Sequence, residues 1–506
     1  MPIARRTFLA ASAALGLPRL ARADIRSRFT VRFDRNVEVL DPAFRASPQD
    51  NTILWAVFQR LVRFKPGATD WENDAAADIR QADPTTVEFR LKPGQMFTGG
   101  FGEMTAADVK FSFERFIRPP DGRESPYKSD WANLDRVDVT GLYTGRIMLT
   151  QPTAYLWRIA LADGSGCIVS RAAMTQLGER AALQPVGSGP FAVASLEPKR
   201  QVALRPNPAY AGPPSPWQEI VARYVPDPKT AELAFRAGEL DFTELTPSTL
   251  TALRRTPETT ITQSPGLRFV WISLNVEKKP LDDPRVRRAI RMGLDVDQML
   301  LAGYNGLAPR ANALIQPQVL GHWDAAPLHM RDVTGAKQLL AEAGVSGLKL
   351  RLTLLNQPAF QAMALVAQSQ LQQIGVALEL DVRDAGTYWS AGKGDAGRGL
   401  DAVMMRFNGK LDPNFNTQWF LSDQVGAWNW SRWRCPEYDA LHAQASTTLD
   451  EAERAGIVVR MQELMEQSSA FLWLTYDVDL FASKKWLKPA IMPTGSDWQL
   501  AQFAAA

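Results

Sequence analysis

One stretch constrains the fold more than any other: Trp271-Ile-Ser-Leu-Asn275, followed by Pro280-Leu-Asp-Asp-Pro-Arg-Val-Arg-Arg-Ala-Ile290. It reads as a short buried strand, a turn and a helix. Asp283 is placed to cap that helix. Pro284 takes its first position, where a missing N–H costs nothing because first-turn donors have no intrahelical partner. Val286, Ala289, Ile290, Gly293 and Leu294 then recur at helical spacing and make one apolar face.

Units of the same kind recur along the chain. Phe29–Phe33 reads as a strand, and so does Thr86–Leu91, where Val87, Phe89 and Leu91 alternate with Thr86, Glu88 and Arg90. Thr105 with Asp108 three residues on makes a capping box, ahead of a helix whose apolar face holds Val109, Phe113, Phe116 and Ile117. Later, Leu348, Leu350, Leu352 and Leu354 share one strand face. A helix with Phe360, Met363, Ala364, Ala367, Leu371 and Ile374 on one stripe follows, then an alternating strand over 376–382. Two strands joined by such a helix lie parallel in one sheet. A helix over Glu451–Glu466 precedes an apolar strand, Phe471–Tyr476. Strands and helices that alternate in this way give a mixed α/β class, and 506 residues make two or three domains.

Residues 1–23 read as an address rather than as fold. Arg5-Arg6 precedes Thr7-Phe8-Leu9, an apolar run extends to Leu17, and Ala21-Arg22-Ala23 offers a small-x-small cleavage site. The Arg-Arg-x-Phe-Leu pattern resembles a twin-arginine export signal; an ordinary secretory signal with two arginines is the alternative. Export changes the charge reading. Taking Arg5, Arg6, Arg19 and Arg22 from the 57 Lys and Arg leaves 53 bases against 54 acids, a net of −1. A near-neutral mature chain gives no support to nucleic-acid or anionic-membrane binding. The two cysteines, Cys167 and Cys435, are expected as isolated thiols, because a chain this long buries large cores without a staple.

A series of segments resembles the extracellular solute-binding proteins of family 5, the periplasmic receptors of peptide/nickel-type ABC importers. In order they are Leu40-Asp41-Pro42, Ala76–Gly94 with Thr105–Arg115, Val186-Gly-Ser-Gly-Pro-Phe191, Arg205-Pro-Asn207, Ala237-Gly-Glu-Leu-Asp241, the opening 271–290 stretch, Ala336–Gly344 and Gln370–Gly375. The resemblance implies a class II periplasmic-binding fold of the large subtype. One lobe would span 24–267 plus 481–506, with an inserted subdomain over about 55–185. The other would span 268–480, with the ligand cleft between the lobes. It implies a monomer in the periplasm that closes on a peptide, opine-like or conjugated solute and docks on permease subunits, without a cofactor. A receptor presenting its ligand to a membrane sensor is the alternative.

Candidate ligand residues follow. Trp389, Trp428, Trp430 and Trp433 are rigid aromatic contacts for a cleft; their alternative is the lobe core. In the segment Met404–Pro413, many peptide-binding relatives carry an aspartate a few residues before the Asp-Pro, paired with the ligand's amino group. Here Asn408, Gly409 and Lys410 stand nearby and Asp412 is the only acid, so the ammonium anchor is missing. Lys410 or Arg406 could meet an anionic group instead, and a solvated loop lysine is the alternative. Around Ser47 the relatives' backbone pairs with an extended ligand, and Pro48 shortens any such ladder. Arg268 can grip a carboxylate bidentately or form a hinge salt bridge.

Catalytic and metal chemistry find little footing. His322, His329 and His442 lack ligand-like spacing. Ser125-Pro-Tyr-Lys128 matches Ser-x-x-Lys formally, but its companion Ser-Asp-Asn and Lys-Thr-Gly motifs are missing, so a periplasmic serine hydrolase is a remote alternative.

Overall fold

The computed structural model describes residues 27–120 and 122–506. The leader expected over 1–23 lies outside the described residues. Two mixed sheets organise the rest. A seven-stranded sheet runs in the order Thr259–Pro265, Val478–Lys484, Phe242–Glu244, Arg28–Phe33, Glu219–Tyr224, Gln201–Pro206, Phe191–Glu197. A five-stranded sheet runs Ala377–Arg383, Lys349–Leu355, Ala402–Phe407, Phe269–Leu274, Phe471–Thr475. A separate four-stranded antiparallel sheet, formed by segments between residues 76 and 149, falls inside the span expected for an insertion.

The opening stretch is the spine of the second sheet. All six residues of Phe269–Leu274 are buried, so the strand is covered on both faces. Its partners on either side, Ala402–Phe407 and Phe471–Thr475, are antiparallel to it. Asp283 caps the helix Pro284–Met292 through Arg285 N–H, with Pro284 in the first turn. Val286, Ala289 and Ile290 are buried in the same apolar cluster as Leu274, Leu352 and Met363. Fully burying a Val or Ile side chain of this kind contributes about 1.5–3 kcal/mol, and the single methyl of Ala289 less. The predicted β-α-β unit is present: Lys349–Leu355 and Ala377–Arg383 are parallel, joined through the helix Pro358–Gln372. The alternation in its second strand is only half buried. Leu378 is covered, but Val382 is 42% exposed because the strand lies at the sheet edge.

The chain passes from the first sheet to the second at residues 266–268 and returns at 476–477. The return comes earlier than the expected boundary at 480–481. Asp477 takes a positive φ of 62° and ends the apolar strand, and Val478–Lys484 pairs with Thr259–Pro265 in the first sheet. The C-terminal segment then covers that sheet: Phe503 stacks on Phe29 at 5.3 Å, and its carbonyl accepts the Trp217 indole N–H at 2.6 Å. Cys167 is a buried free thiol whose pKa burial pushes up to about 11; Cys435 is also free and half-buried.

Candidate ligand-binding cleft

Residues from both sheets' lobes line a cleft of two compartments, which share Arg35, Asn408 and Phe415. The larger, of about 670 Å³, has a volume suited to a small solute. Its walls are rings. Phe407 ends the strand Ala402–Phe407, and Tyr388 and Trp389 come from the short helix Ala385–Ser390. Tyr388 Oη donates to the Met404 carbonyl at 2.7 Å and pins that helix to the strand. Trp419 meets Phe407 edge to face at 5.8 Å and Trp428 at 6.0 Å, and Trp389 meets Trp428 at 6.3 Å. Such edge-to-face contacts suit the ring quadrupoles and leave ring faces for a guest.

The charged groups lining this compartment are Arg35 and Arg406. Arg35 is exposed and has no ion partner among the described residues. Arg406 donates through Nε to Asp477 Oδ2 at 2.8 Å, and its terminal nitrogens make no hydrogen bond among the described residues. Burial works against the charge of Arg406, but Asp477, Tyr304 and Glu244 outweigh it and hold its pKa up. The Trp419 indole N–H is buried without a partner.

The smaller compartment, of about 280 Å³, is polar. Lys410 reaches across the cleft to Asp163 at 3.1 Å and Asp130 at 3.8 Å, with its ammonium 5.0 Å from the Phe415 ring centre. Burial favours neutral Lys410, but Asp130 and Asp163 prevail and raise its pKa. Arg45 lies 3.7 Å from Asp130 and stacks on Tyr127 at 3.5 Å. Burial also favours neutral Asp163, yet Lys410 and Arg45, with hydrogen bonds from Gly164 and Asn51, pull its pKa down to about 2. Asp497 goes the other way: burial and nearby Asp163 raise it against hydrogen bonds from Asn51 and Thr494.

The expected site residues therefore separate into groups. Trp389, Arg406, Asn408 and Trp428 line the large compartment, and Asn408, Lys410 and Ser47 line the small one. Trp430 stands behind the wall, 2% exposed, against Tyr388 and Trp389. Two expectations need correction, at Asp412 and Ser47, and two alternatives left open, at Trp433 and Arg268, resolve. Trp433 is core, packed edge to face on Tyr438 and Phe471. Asp412 is fully buried, held bidentately by Arg454 at 2.8 and 2.6 Å while capping the helix Pro413–Thr417, so it has no oxygen left for a ligand. Arg268 is spent on Asp477 and Asp479 at the crossing. Ser47 caps the helix Pro48–Val57, and the N–H groups of Ala46 and Ser47 both go to Asp50, so they cannot pair with an extended ligand.

Gly409 has no room for a side chain: a Cβ there would collide with the Leu267 carbonyl oxygen. An acidic anchor at that position is sterically excluded. Ser125 is buried and donates to the Ala43 carbonyl, while Lys128 points to Glu124, so the two do not form a catalytic pair. Sequence reasoning missed Arg35, Tyr127, Asp130, Asp163 and Asp497. The only local signal was Asp163-Gly-Ser-Gly166, a tight turn in which a Cβ at Gly164 would collide with Asn51. Among the described residues no cluster of metal-ligating side chains occurs, and no helix is long and apolar enough to cross a membrane.

Two α/β lobes around a cleft lined from both sides define a bilobal solute-binding protein. Residues 68–428 match the family model "Bacterial extracellular solute-binding proteins, family 5 Middle", and the chain belongs to that family. It is 28% identical over 487 residues to the probable D,D-dipeptide-binding periplasmic protein DdpA of Escherichia coli K12, covering 93% of this chain and 92% of that one. It is 27% identical to the glutathione-binding protein GsiB of the same strain, covering 80% and 81%. The fold matches the periplasmic binding protein DppA of Helicobacter pylori, solved with peptide STSA, at a TM-score of 0.78 and 23% identity over 94% of this chain and 98% of that one. These relatives are named as binding proteins, not as enzymes.

Proposed function

We propose that the protein is a periplasmic receptor that captures a peptide-like solute between its lobes and delivers it to the permease subunits of an ABC importer, without chemistry of its own. The observation that carries this reading is the two-compartment cleft itself, walled from both lobes and bridged by Lys410, Asp163 and Asp130. Only two chain crossings join the lobes' sheets, at 266–268 and 476–477, and such a joint permits hinge closure. Closure is driven by whatever the solute gains in the closed form alone; equal affinity for both forms moves nothing. Relatives named for D,D-dipeptides and glutathione support a solute of peptide-like size.

The test is native mass spectrometry of the purified mature chain mixed with the low-mass fraction of a cell extract, together with small-angle scattering. The expected result is one bound solute per chain and a smaller radius of gyration. A chain that neither retains any solute nor changes its radius is not a receptor of this kind.

A further inference from the structure

The charged groups that line the larger compartment are both cations: Arg35, which is exposed, and Arg406, whose terminal nitrogens make no hydrogen bond among the described residues. The indole N–H groups of Trp419 and Trp55 are buried without a partner among the described residues. Trp55 is 7% exposed, so its N–H has little access to bulk water. Lys410 Nζ, though ion-paired, makes no well-aligned hydrogen bond. Asn51 Oδ1 is the one buried acceptor without a partner among the described lining side chains, and the exposed or half-buried amides of Asn408 and Gln357 offer both donors and an acceptor. A ligand carboxylate that meets the Arg35 and Arg406 guanidinium groups gains charge-assisted hydrogen bonds, which are stronger than neutral ones.

The acids tell the same story from the other side. Asp163 is matched by Lys410, and Asp130 by Arg45 and Lys410. Asp497 accepts from Asn51 and Thr494 and is drawn toward its protonated form. A ligand ammonium entering the larger compartment finds no lining carboxylate to neutralise it, while Arg35 and Arg406 repel it. The larger compartment adds a shape requirement, because Trp389, Phe407, Trp419 and Trp428 present ring faces and edges on several sides.

Resting on the receptor reading, we propose that the solute is an anion that carries a flat aromatic portion and no ammonium group, such as an N-blocked aromatic peptide acid. The rings of the larger compartment hold the aromatic portion. Arg35 and the free end of Arg406 take the carboxylate, since planar guanidinium groups match it bidentately.

Isothermal titration calorimetry of the full mature chain tests this with four probes. They are N-acetyl-Phe-Trp, its C-terminal amide, the free-amine dipeptide Phe-Trp, and N-acetyl-Ala-Ala. The acetylated aromatic acid is expected to bind at least tenfold more tightly than each of the other three. Arg35→Ala removes an exposed, unpaired side chain and leaves the fold intact. It is expected to weaken the acid at least tenfold and to leave the amide unchanged. Equal binding of Phe-Trp overturns the missing-ammonium part, and equal binding of the amide overturns the anion part. Equal binding of N-acetyl-Ala-Ala removes the aromatic requirement. If no probe binds while the chain still compacts around a solute from extract, this ligand class is wrong and the receptor reading stands.

Discussion

The two compartments of the cleft share a wall at Arg35, Asn408 and Phe415 but are finished in opposite ways. The larger is built from ring edges and unspent donors. The smaller is a circuit of charges already matched across the cleft: Lys410 with Asp163 and Asp130, and Arg45 with Asp130. The contrast separates two jobs. Unspent groups reward the arrival of a guest, whereas matched groups reward the approach of the two lobes to each other. On the proposed function, a single cleft would divide recognition from closure, and the segment Arg406–Asp412 would serve both.

The largest test strikes that shared segment. Arg454→Met leaves the fully buried Asp412 carboxylate without its partner, and breaking a buried pair costs about 3–5 kcal/mol. Urea unfolding is expected to show that loss, with binding weakened in both compartments. An unchanged midpoint would mean that the pair does not fasten the segment.

Acid comes next, and it should spare the charge circuit. Burial and neighbouring Arg454 push His442 down to about 4, and its Nδ1 shares a hydrogen bond with Thr417 Oγ1. Its folded pKa lies below its ordinary value, so the unfolded chain takes up the proton first as pH falls. Stability is full above about pH 6.5 and declines by about 3 kcal/mol as pH drops to about 4. Asp163 keeps its charge throughout that window, because its folded pKa is about 2. Thermal melts between pH 4 and 7 should therefore show a slope that His442→Asn flattens. A slope that Lys410→Met flattens instead would place the acid-sensitive group in the circuit.

Lys410→Met keeps the apolar stem over Phe415 and deletes the ammonium. Asp163 and Asp130 then lose their shared counter-charge at a cost of about 1–3 kcal/mol, and the solute-free chain is expected to expand in small-angle scattering. An unchanged radius would deny the circuit its part in closure. The smallest effect belongs to the ring wall. Trp428 is 36% exposed, so Trp428→Ala should change stability by less than about 1 kcal/mol. The same change should weaken N-acetyl-Phe-Trp about tenfold by calorimetry, close to 1.4 kcal/mol.

What could be read from sequence was local. The strand Thr86–Leu91, the Thr105–Asp108 capping box and the Asp283–Pro284 helix start all occur where period and cap chemistry put them. Each depends on residues a few positions apart. The cleft was legible in the contiguous segment Arg406–Lys410 and in the single residues Ser47, Trp389 and Trp428. Arg35, Tyr127, Asp163 and Asp497 come from four distant stretches that only the tertiary fold assembles, so no window contains their pattern. Asp412 was misplaced, and Arg268 was left open between two uses, for a related reason. A charged side chain's use depends on its partner, and those partners lie 42 residues away at Arg454 and more than 200 away at Asp477 and Asp479. Trp433 shows a third limit, since cores and pockets recruit the same rings.

Asp477 sits on the return crossing, and one of its oxygens receives both Arg268 from the outgoing crossing and Arg406 from the cleft floor. Mechanically this is a rivet through both straps of a joint, with its head exposed to the cargo. A guest held by Arg406 as proposed would load the rivet directly, and because the straps are short, a slight twist there would sweep the far rims through a long arc; on that reading one carboxylate links cargo grip to joint angle.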